Sequence, residues 1–471
     1  MSRIGAAHHV RSFALAILIV LTAINFLNYI DRYVLAAVLE SVRVEFGLTD
    51  ASSGTLGFMF IIVYTLASPF TGWLGDRSTR KYLVAAGVAL WSVATVACGY
   101  ARSYEDLLIM RALVGVGEAG YATVAPGMIA DLFVPEKRGR MLAYFYLAIP
   151  VGSALGYVLG GWIAGSWSSL IGADTLALLG LAEAADPGWR LAFLFAGVPG
   201  VICAIAAVLI PEPVRGGKDP EPGEREAGSA SSPIAAVSRL LQSPAFRSTT
   251  GGMVLMTFTL GGLAYWMPAF LQRAHGMDVK SAGVVFGGIT VVAGLIATLA
   301  GGYFGDRAFA LRQGGYLRVS GWGLIIGAPV TLLMALLDVR LPVLLLAFVA
   351  EFFLFLNTGP LNAALIGCVP ANLRAMSIAV NVLFIHLLGD AISPYVIGWI
   401  SDTLGPGLAG TMLGDTPKAA GLRLALALSS VPLLLGGLWL LRGAGVLDRH
   451  PEGLAARDVS IRRDGGEASR G

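Results

Sequence analysis

Twelve apolar runs, each long enough to cross a lipid bilayer, decide what this chain can fold into. They fall near residues 12–40, 52–75, 82–101, 105–132, 138–165, 190–211, 246–273, 279–305, 315–338, 341–369, 373–403 and 418–443. A helix needs about 20 mostly apolar residues to cross about 30 Å of hydrocarbon. Packing in water is no alternative: 56% of the residues are apolar, 13% are charged, and the mean hydropathy is +0.73. That is more apolar surface than a soluble interior can hide. In lipid each helix satisfies its own backbone polar groups, so the sequence predicts an all-α membrane protein. The first run follows Arg3, His8, His9 and Arg11 as a signal peptide would. Its length and the lack of a small-residue cleavage site predict a retained first helix.

Loop charges orient the spans. Placing both termini in the cytoplasm puts most of the 33 Lys and Arg residues on that side, with the densest short loops at Arg77, Arg80, Lys81 and at Lys137, Arg138, Arg140. Short loops suit a bacterial inner membrane. Between 212 and 245 the composition turns to proline, glycine, serine and mixed charge (PEPVRGGKDPEPGEREAGSASSP), a linker that cannot bury enough to order itself firmly. The expected division is a six-helix bundle at 1–211, a cytoplasmic linker at 212–245, a second six-helix bundle at 246–443 and a cytoplasmic tail at 444–471. An internal repeat supports it. Span 2 ends Gly72-Trp-Leu-Gly-Asp76-Arg77, followed by Arg80 and Lys81, and span 8 ends Gly302-Tyr-Phe-Gly-Asp306-Arg307, followed by Arg312. Two such copies at equivalent positions indicate two pseudo-symmetric halves.

Several function classes are excluded. A net charge of +3 with no basic stripe does not suit nucleic acid. Cys98, Cys203 and Cys368 lie in apolar runs as packing thiols, and no metal-binding spacing occurs. Gly115-Val-Gly-Glu-Ala-Gly120 fits the GxGxxG pattern, and Asp131 lies downstream. Its flanks, however, belong to one apolar span and not to a strand and an amphipathic helix. These glycines, and Gly152, Gly156 and Gly160 in span 5, are expected to let helices approach closely. With no nucleotide motif there is no cofactor to expect, and uphill work would draw on an ion gradient. A nucleophile–base set for an enzyme and a repeated charged ring for a channel are both missing from the sequence.

The informative residues are polar groups inside the spans, where a central charge costs roughly 2.5–3.5 kcal/mol on insertion scales and usually faces a partner or a wet cavity. Span 1 holds Asn25, Asn28, Asp31 and Arg32; span 4 holds Arg111 and Glu118, seven apart and on one face. Span 10 carries Glu351, Thr358 and Asn362, with Glu351 expected to cap the external surface. Span 11 carries His386 and Asp390 at i, i+4, a pair that either lines a cavity or satisfies itself. The expected chemistry is a competition of Asp31 and Glu118 for Arg32, in which protonating Glu118 frees the arginine. Arg32 and Arg111 would suit an anionic head group and the apolar surroundings a hydrocarbon tail.

The segment GWLGDRSTRK (72–81) closely resembles the signature after the second helix of the major facilitator superfamily, and 302–307 looks like its second-half copy. The resemblance implies the major facilitator fold, twelve helices in two bundles around a midplane cavity, working by alternating access. It implies a conformational latch at Asp76, Arg77 and Arg80, with Asp306 and Arg307 as the degraded copy. Within that superfamily NFLNYIDRYVLA (25–36), RALVGVGEAGYATVAPGMIADLF (111–133), EFFLFLNTGPLNAA (351–364) and HLLGDAISPYVIGWISD (386–402) resemble the spinster group. That group implies gradient-driven transport of sphingolipids and lysophospholipids, and its acid–arginine–acid set matches Asp31, Arg32 and Glu118. The residues expected to contact substrate are Arg32, Arg111, Asn28, Tyr265, Asn357, His386 and Asp390. GSALGYVLGG (152–161) resembles the antiporter glycine motif, with Tyr157 in place of its proline. The expectation is a monomeric, proton-coupled carrier of lipid-like anions, with a drug or small organic-anion transporter as the alternative.

Overall fold

A computed structural model describes residues 3–215, 233–369 and 373–449, and the described chain is almost wholly helical. Among the described residues twelve helices are long and apolar enough to cross a membrane. Spans 1–6 are Phe13–Phe46, Asp50–Gly75, Arg80–Cys98, Tyr104–Leu132, Tyr144–Leu170 and Pro187–Leu209. Spans 7–12 are Pro244–His275, Val279–Leu311, Gly315–Leu336, Arg340–Gly367, Met376–Leu408 and Pro417–Arg449. Span 5 starts later than the apolar run suggests: Pro135–Tyr146 is a separate helix whose last residues enter the span, and the main helix is Ala148–Leu170.

Local sequence sets the helix ends. Thr49 caps span 2 by accepting from the Ser52 amide, and Ser103 and Asp106 close a reciprocal capping box at the start of span 4. Two spans that read as continuous have a two-residue joint, and span 12 is interrupted at the single residue Ser429. Span 4 consists of Tyr104–Ala122 and Ala125–Leu132, and span 10 of Arg340–Phe355 and Thr358–Gly367. Pro126 and Pro360 follow the two joints, and a proline has no amide for the carbonyl one turn back. Span 11 carries a π-helical turn at His386–Asp390 between Arg374–Ile385 and Ile392–Leu404.

The glycine faces do what their spacing suggests. A Cβ on Gly152 would lie 2.8 Å from the Phe26 carbonyl oxygen and one on Gly156 2.6 Å from that of Ile30, so span 5 packs against the bare backbone of span 1. Gly115 abuts the Phe60 carbonyl of span 2, and Gly117 abuts the Trp91 amide of span 3. The GxGxxG run is thus a packing surface inside a helix.

The chain divides into two compact units. One comprises Met1–Glu226, Ala264–Val291 and Pro394–Thr403, the other Ala227–Leu263, Val292–Ser393 and Leu404–Gly471. In the first, Ile17, Leu21, Ile24, Val84, Val88 and Tyr121 join spans 1, 3 and 4 in one apolar core. In the second, Leu240 packs with Phe246, Leu365 and Val380. Leu240 belongs to the helix Pro233–Gln242, so the end of the expected linker is ordered. The sequence criterion missed it because average polarity hides a short helix with one good apolar face. Residues 216–232 and the tail from 450 onward lie outside the described residues.

Candidate functional site

Spans 1 and 4 of the first unit bring their ionisable residues together. Arg32 Nε donates to Glu118 Oε2 at 2.6 Å, and Glu118 is fully buried. Asp31 and Arg111 are each only 1% exposed; Arg111 Nη1 stands 3.9 Å from Asp31 Oδ1. The other Asp31 oxygen accepts from the Thr95 hydroxyl of span 3. The cluster is therefore two acid–arginine pairs, Arg32–Glu118 and Asp31–Arg111, and not one arginine between two acids. Helical geometry accounts for this difference from the sequence expectation: adjacent residues 31 and 32 point about 100° apart, so they meet different faces.

Aromatic rings hold both guanidinium groups. Arg32 lies 4.8 Å from the Tyr64 ring centroid, 5.1 Å from Tyr29 and 5.3 Å from Phe60, while Arg111 lies 4.7 Å from the same Phe60. Such contacts contribute about 0.5–2 kcal/mol each. Arg111 Nε and Nη1 meet no hydrogen-bond acceptor among the described residues, so this buried cation keeps donors to spare. Sequence reading missed Phe60, Tyr64 and Thr95, because a lone aromatic or threonine in an apolar run carries no signal until the helices are assembled.

The remaining candidates for substrate contact divide by unit. In the first, Asn28 is buried beside Glu118. Tyr265 donates its hydroxyl to the Ser53 carbonyl at 2.5 Å, so its polar end is committed to span 2. In the second, Asn357 forms the joint of span 10 and donates to the Phe353 carbonyl at 2.6 Å. His386 Nδ1 lies 3.0 Å from both carboxylate oxygens of Asp390 across the π-helical turn, and both side chains are about one-fifth exposed. The pair satisfies itself and still presents a polar surface.

The chain is similar to known proteins in sequence and in fold. The sequence model of the Major Facilitator Superfamily matches residues 21–394. Protein spinster of Drosophila melanogaster is 33% identical over 394 residues, covering 82% of this chain, and the chain spans 61% of that protein's length. Protein spinster homolog 1 of Xenopus tropicalis is 32% identical, with 93% of this chain and 81% of the relative covered. The chain is a spinster-like member of the Major Facilitator Superfamily. Its fold matches the crystal structure of a bacterial homologue of the human lysosomal transporter Spinster, in an inward-facing and unoccupied conformation. The TM-score is 0.81 at 26% identity, covering 92% of this chain and 97% of that one. Family and fold make the protein a multi-pass membrane transporter.

The two copies of the GWLGDR motif of this spinster-like transporter are unequal. Arg80 is buried and donates to Asp131 at 2.6 Å, to Glu212 at 3.1 Å and to the Pro213 carbonyl at 2.9 Å. Glu212 also accepts from the Arg80 and Lys81 amides, capping the start of span 3. Arg77 is exposed and lies 4.5 Å over its own neighbour, the Trp73 ring. The side chain of Asp76 lies outside the described residues. In the second copy Asp306 accepts from the Tyr316 hydroxyl at 2.9 Å, and Arg307 is exposed. The anchored member is Arg80, and its acceptors Asp131 and Glu212 went unrecognised because they lie far away in sequence.

A second ionic cluster, at the opposite ends of the spans, was also unforeseen. Arg273, at the end of span 7, donates to Glu40 at 2.5 Å and to both oxygens of Asp50 at 2.9 Å. Asp50 is fully buried and accepts from the Ser401 hydroxyl; Asp402 accepts from the amides of Asp50 and Ala51. All of these residues belong to the first unit, where they tie together spans 1, 2, 7 and 11. Tyr157, standing where the antiporter motif has proline, donates to the Ala264 carbonyl at 2.6 Å and packs on Tyr33 and Phe286.

Proposed function

We propose that this protein is a proton-coupled carrier of amphipathic, anionic, lipid-like molecules such as lysophospholipids or sphingoid phosphates. It works as a monomer by alternating access, in a bacterial inner membrane with both termini in the cytoplasm. The observation that carries the reading is the buried Arg32–Glu118 pair beside Arg111, whose donors are not saturated. A proton added to Glu118 cancels the charge that holds Arg32, leaving a guanidinium stacked on Tyr64 and Phe60 and free to meet an anion. Arg111 supplies planar N–H groups that suit phosphate or carboxylate oxygens, while Thr95 steadies Asp31. Loss of the proton restores the ion pair and favours release. The GWLGDR ends, with Asp76, Arg77 and Arg80 in one half and Asp306 and Arg307 in the other, act as the conformational latch on the cytoplasmic side.

The test is uptake into proteoliposomes of a labelled lysophosphatidylcholine, sphingosine-1-phosphate and a cationic dye, with and without an imposed pH gradient. Wild-type protein accumulates a lipid only with the gradient, and Glu118→Gln loses at least about tenfold of that gradient response. Full gradient response in Glu118→Gln removes this residue from the mechanism. Accumulation of the dye but of neither lipid favours the drug-transporter alternative.

A further inference from the structure

Spans 4 and 10, which share a two-residue joint, are related by the internal repeat, and their joints give a register between the two sequences. The first helix of span 4 ends at Ala122 and the second begins at Ala125; the first helix of span 10 ends at Phe355 and the second begins at Thr358. Each joint has two residues, Thr123–Val124 and Leu356–Asn357. Counted back from the cap residue, Glu118 stands five positions before Thr123, and Glu351 stands five positions before Leu356. The acid of the coupling pair thus has a counterpart at the same distance from the joint in the repeat-related span.

The surroundings of Glu351 are unlike a surface cap. It is 3% exposed and sits in the buried stripe of its helix with Ala347, Ala350 and Leu354. Spans 8 and 9 pack against this region. Gly301 abuts Leu356, Gly327 abuts Phe353, and Gly323 meets Leu356 and Asn357. That register sets Glu351 level with Pro329. Span 9 has no ionisable residue beyond Tyr316 and Arg318, about 16 Å or more away along the helix. Arg340, the one other ionisable residue of span 10, is as far in the other direction. On span 8, Lys280 lies in the first turn; Tyr303, Asp306 and Arg307 lie past Gly301. Among the described residues no ion pair or hydrogen bond reaches Glu351. Span 7, the repeat partner of span 1, carries no arginine or lysine between Arg247 and Arg273. The second half repeats the acid and omits the arginine.

We propose that Glu351 is a second proton-binding carboxyl of this carrier, the repeat-related counterpart of Glu118. An ionised carboxylate with no cation in reach is expensive in apolar surroundings, whereas a carboxylic acid is not. Packing alone gives no reason for an acid in a stripe of alanine and leucine. At Glu118 a proton competes with a guanidinium; at Glu351 it competes with nothing and changes the charge of its own half.

Infrared spectroscopy of the purified full chain tests this directly, through the carboxylic C=O stretch followed over a pH titration. Wild type, Glu118→Gln, Glu351→Gln and Glu351→Met are compared, the last filling the site with an apolar side chain if the amide is not tolerated. The wild-type-minus-variant spectrum is expected to contain one carboxylic band that bleaches as pH rises. The band is lost in both Glu351 variants and retained in Glu118→Gln. A difference spectrum without a band, or with a band that never bleaches while the protein stays folded, overturns the proposal. The readout needs no transported substrate, so it stands apart from failure of the lipid-transport reading.

Discussion

Replacing Arg273 by methionine removes the cation on which spans 1, 2, 7 and 11 converge. Three charge-assisted hydrogen bonds vanish, one to Glu40 and two to Asp50. The two acids do not lose equally. Glu40 keeps Arg43, whose Nη2 lies 2.5 Å from it, and that pair is partly exposed; its share of the loss is small. Asp50 is fully buried and loses the guanidinium nitrogen that meets both its oxygens, while keeping the Ser401 hydroxyl among its partners. Breaking a buried pair by removing one partner typically costs about 3–5 kcal/mol, and the retained hydroxyl bond puts Arg273→Met near the lower limit. A loss of about 3 kcal/mol is a change of roughly 100-fold in an equilibrium constant. Asp50→Asn in the same background removes the stranded charge while keeping an acceptor for Ser401, so the double variant should recover most of the loss. Denaturant unfolding of the purified proteins, read as a double-mutant cycle, measures both quantities. A single variant within about 1 kcal/mol of wild type, or a double variant no better than the single, would refute the reasoning.

Two further substitutions test other parts of the molecule. Arg80→Ala should destabilise the protein by about 2–3 kcal/mol through lost bonds to charged groups and expose residues 211–215 to protease. Arg77→Ala should leave both the unfolding midpoint and the cleavage rate unchanged; equal effects would place the anchor elsewhere. Gly156→Leu should lower stability by about 1–3 kcal/mol by overpacking spans 1 and 5, whereas Gly172→Leu, with nothing within 4 Å of its Cβ, should be silent in the same thermal melt.

How much of this was legible beforehand follows from the range of each interaction. The twelve spans could be read because crossing lipid demands an unbroken apolar run, a property local to each segment. The glycine faces could be read for the same reason: Gly152, Gly156 and Gly160 recur once per helical turn. Asp31, Arg32, Arg111 and Glu118 stood out as charges where charge is costly, but their pairing depended on which faces meet. That is why Arg111, and not Arg32, stands beside Asp31. Arg273 looked like an ordinary charge at a span end, and only the approach of spans 1, 2 and 11 makes it a hub. Glu351 was misjudged because nearness to the span end was taken as exposure; the packing of spans 8 and 9, invisible in hydropathy, leaves it buried.

The contact of spans 1 and 5 carries a mechanical consequence. At Gly152 and Gly156 only glycine hydrogens separate span 5 from the carbonyls of Phe26 and Ile30, so at those two levels span 5 has no side chain of its own to re-pack. So close a seam favours the two helices tilting together. In the proposed mechanism, a displacement begun when Glu118 lets go of Arg32 would pass from span 1 to span 5 across it.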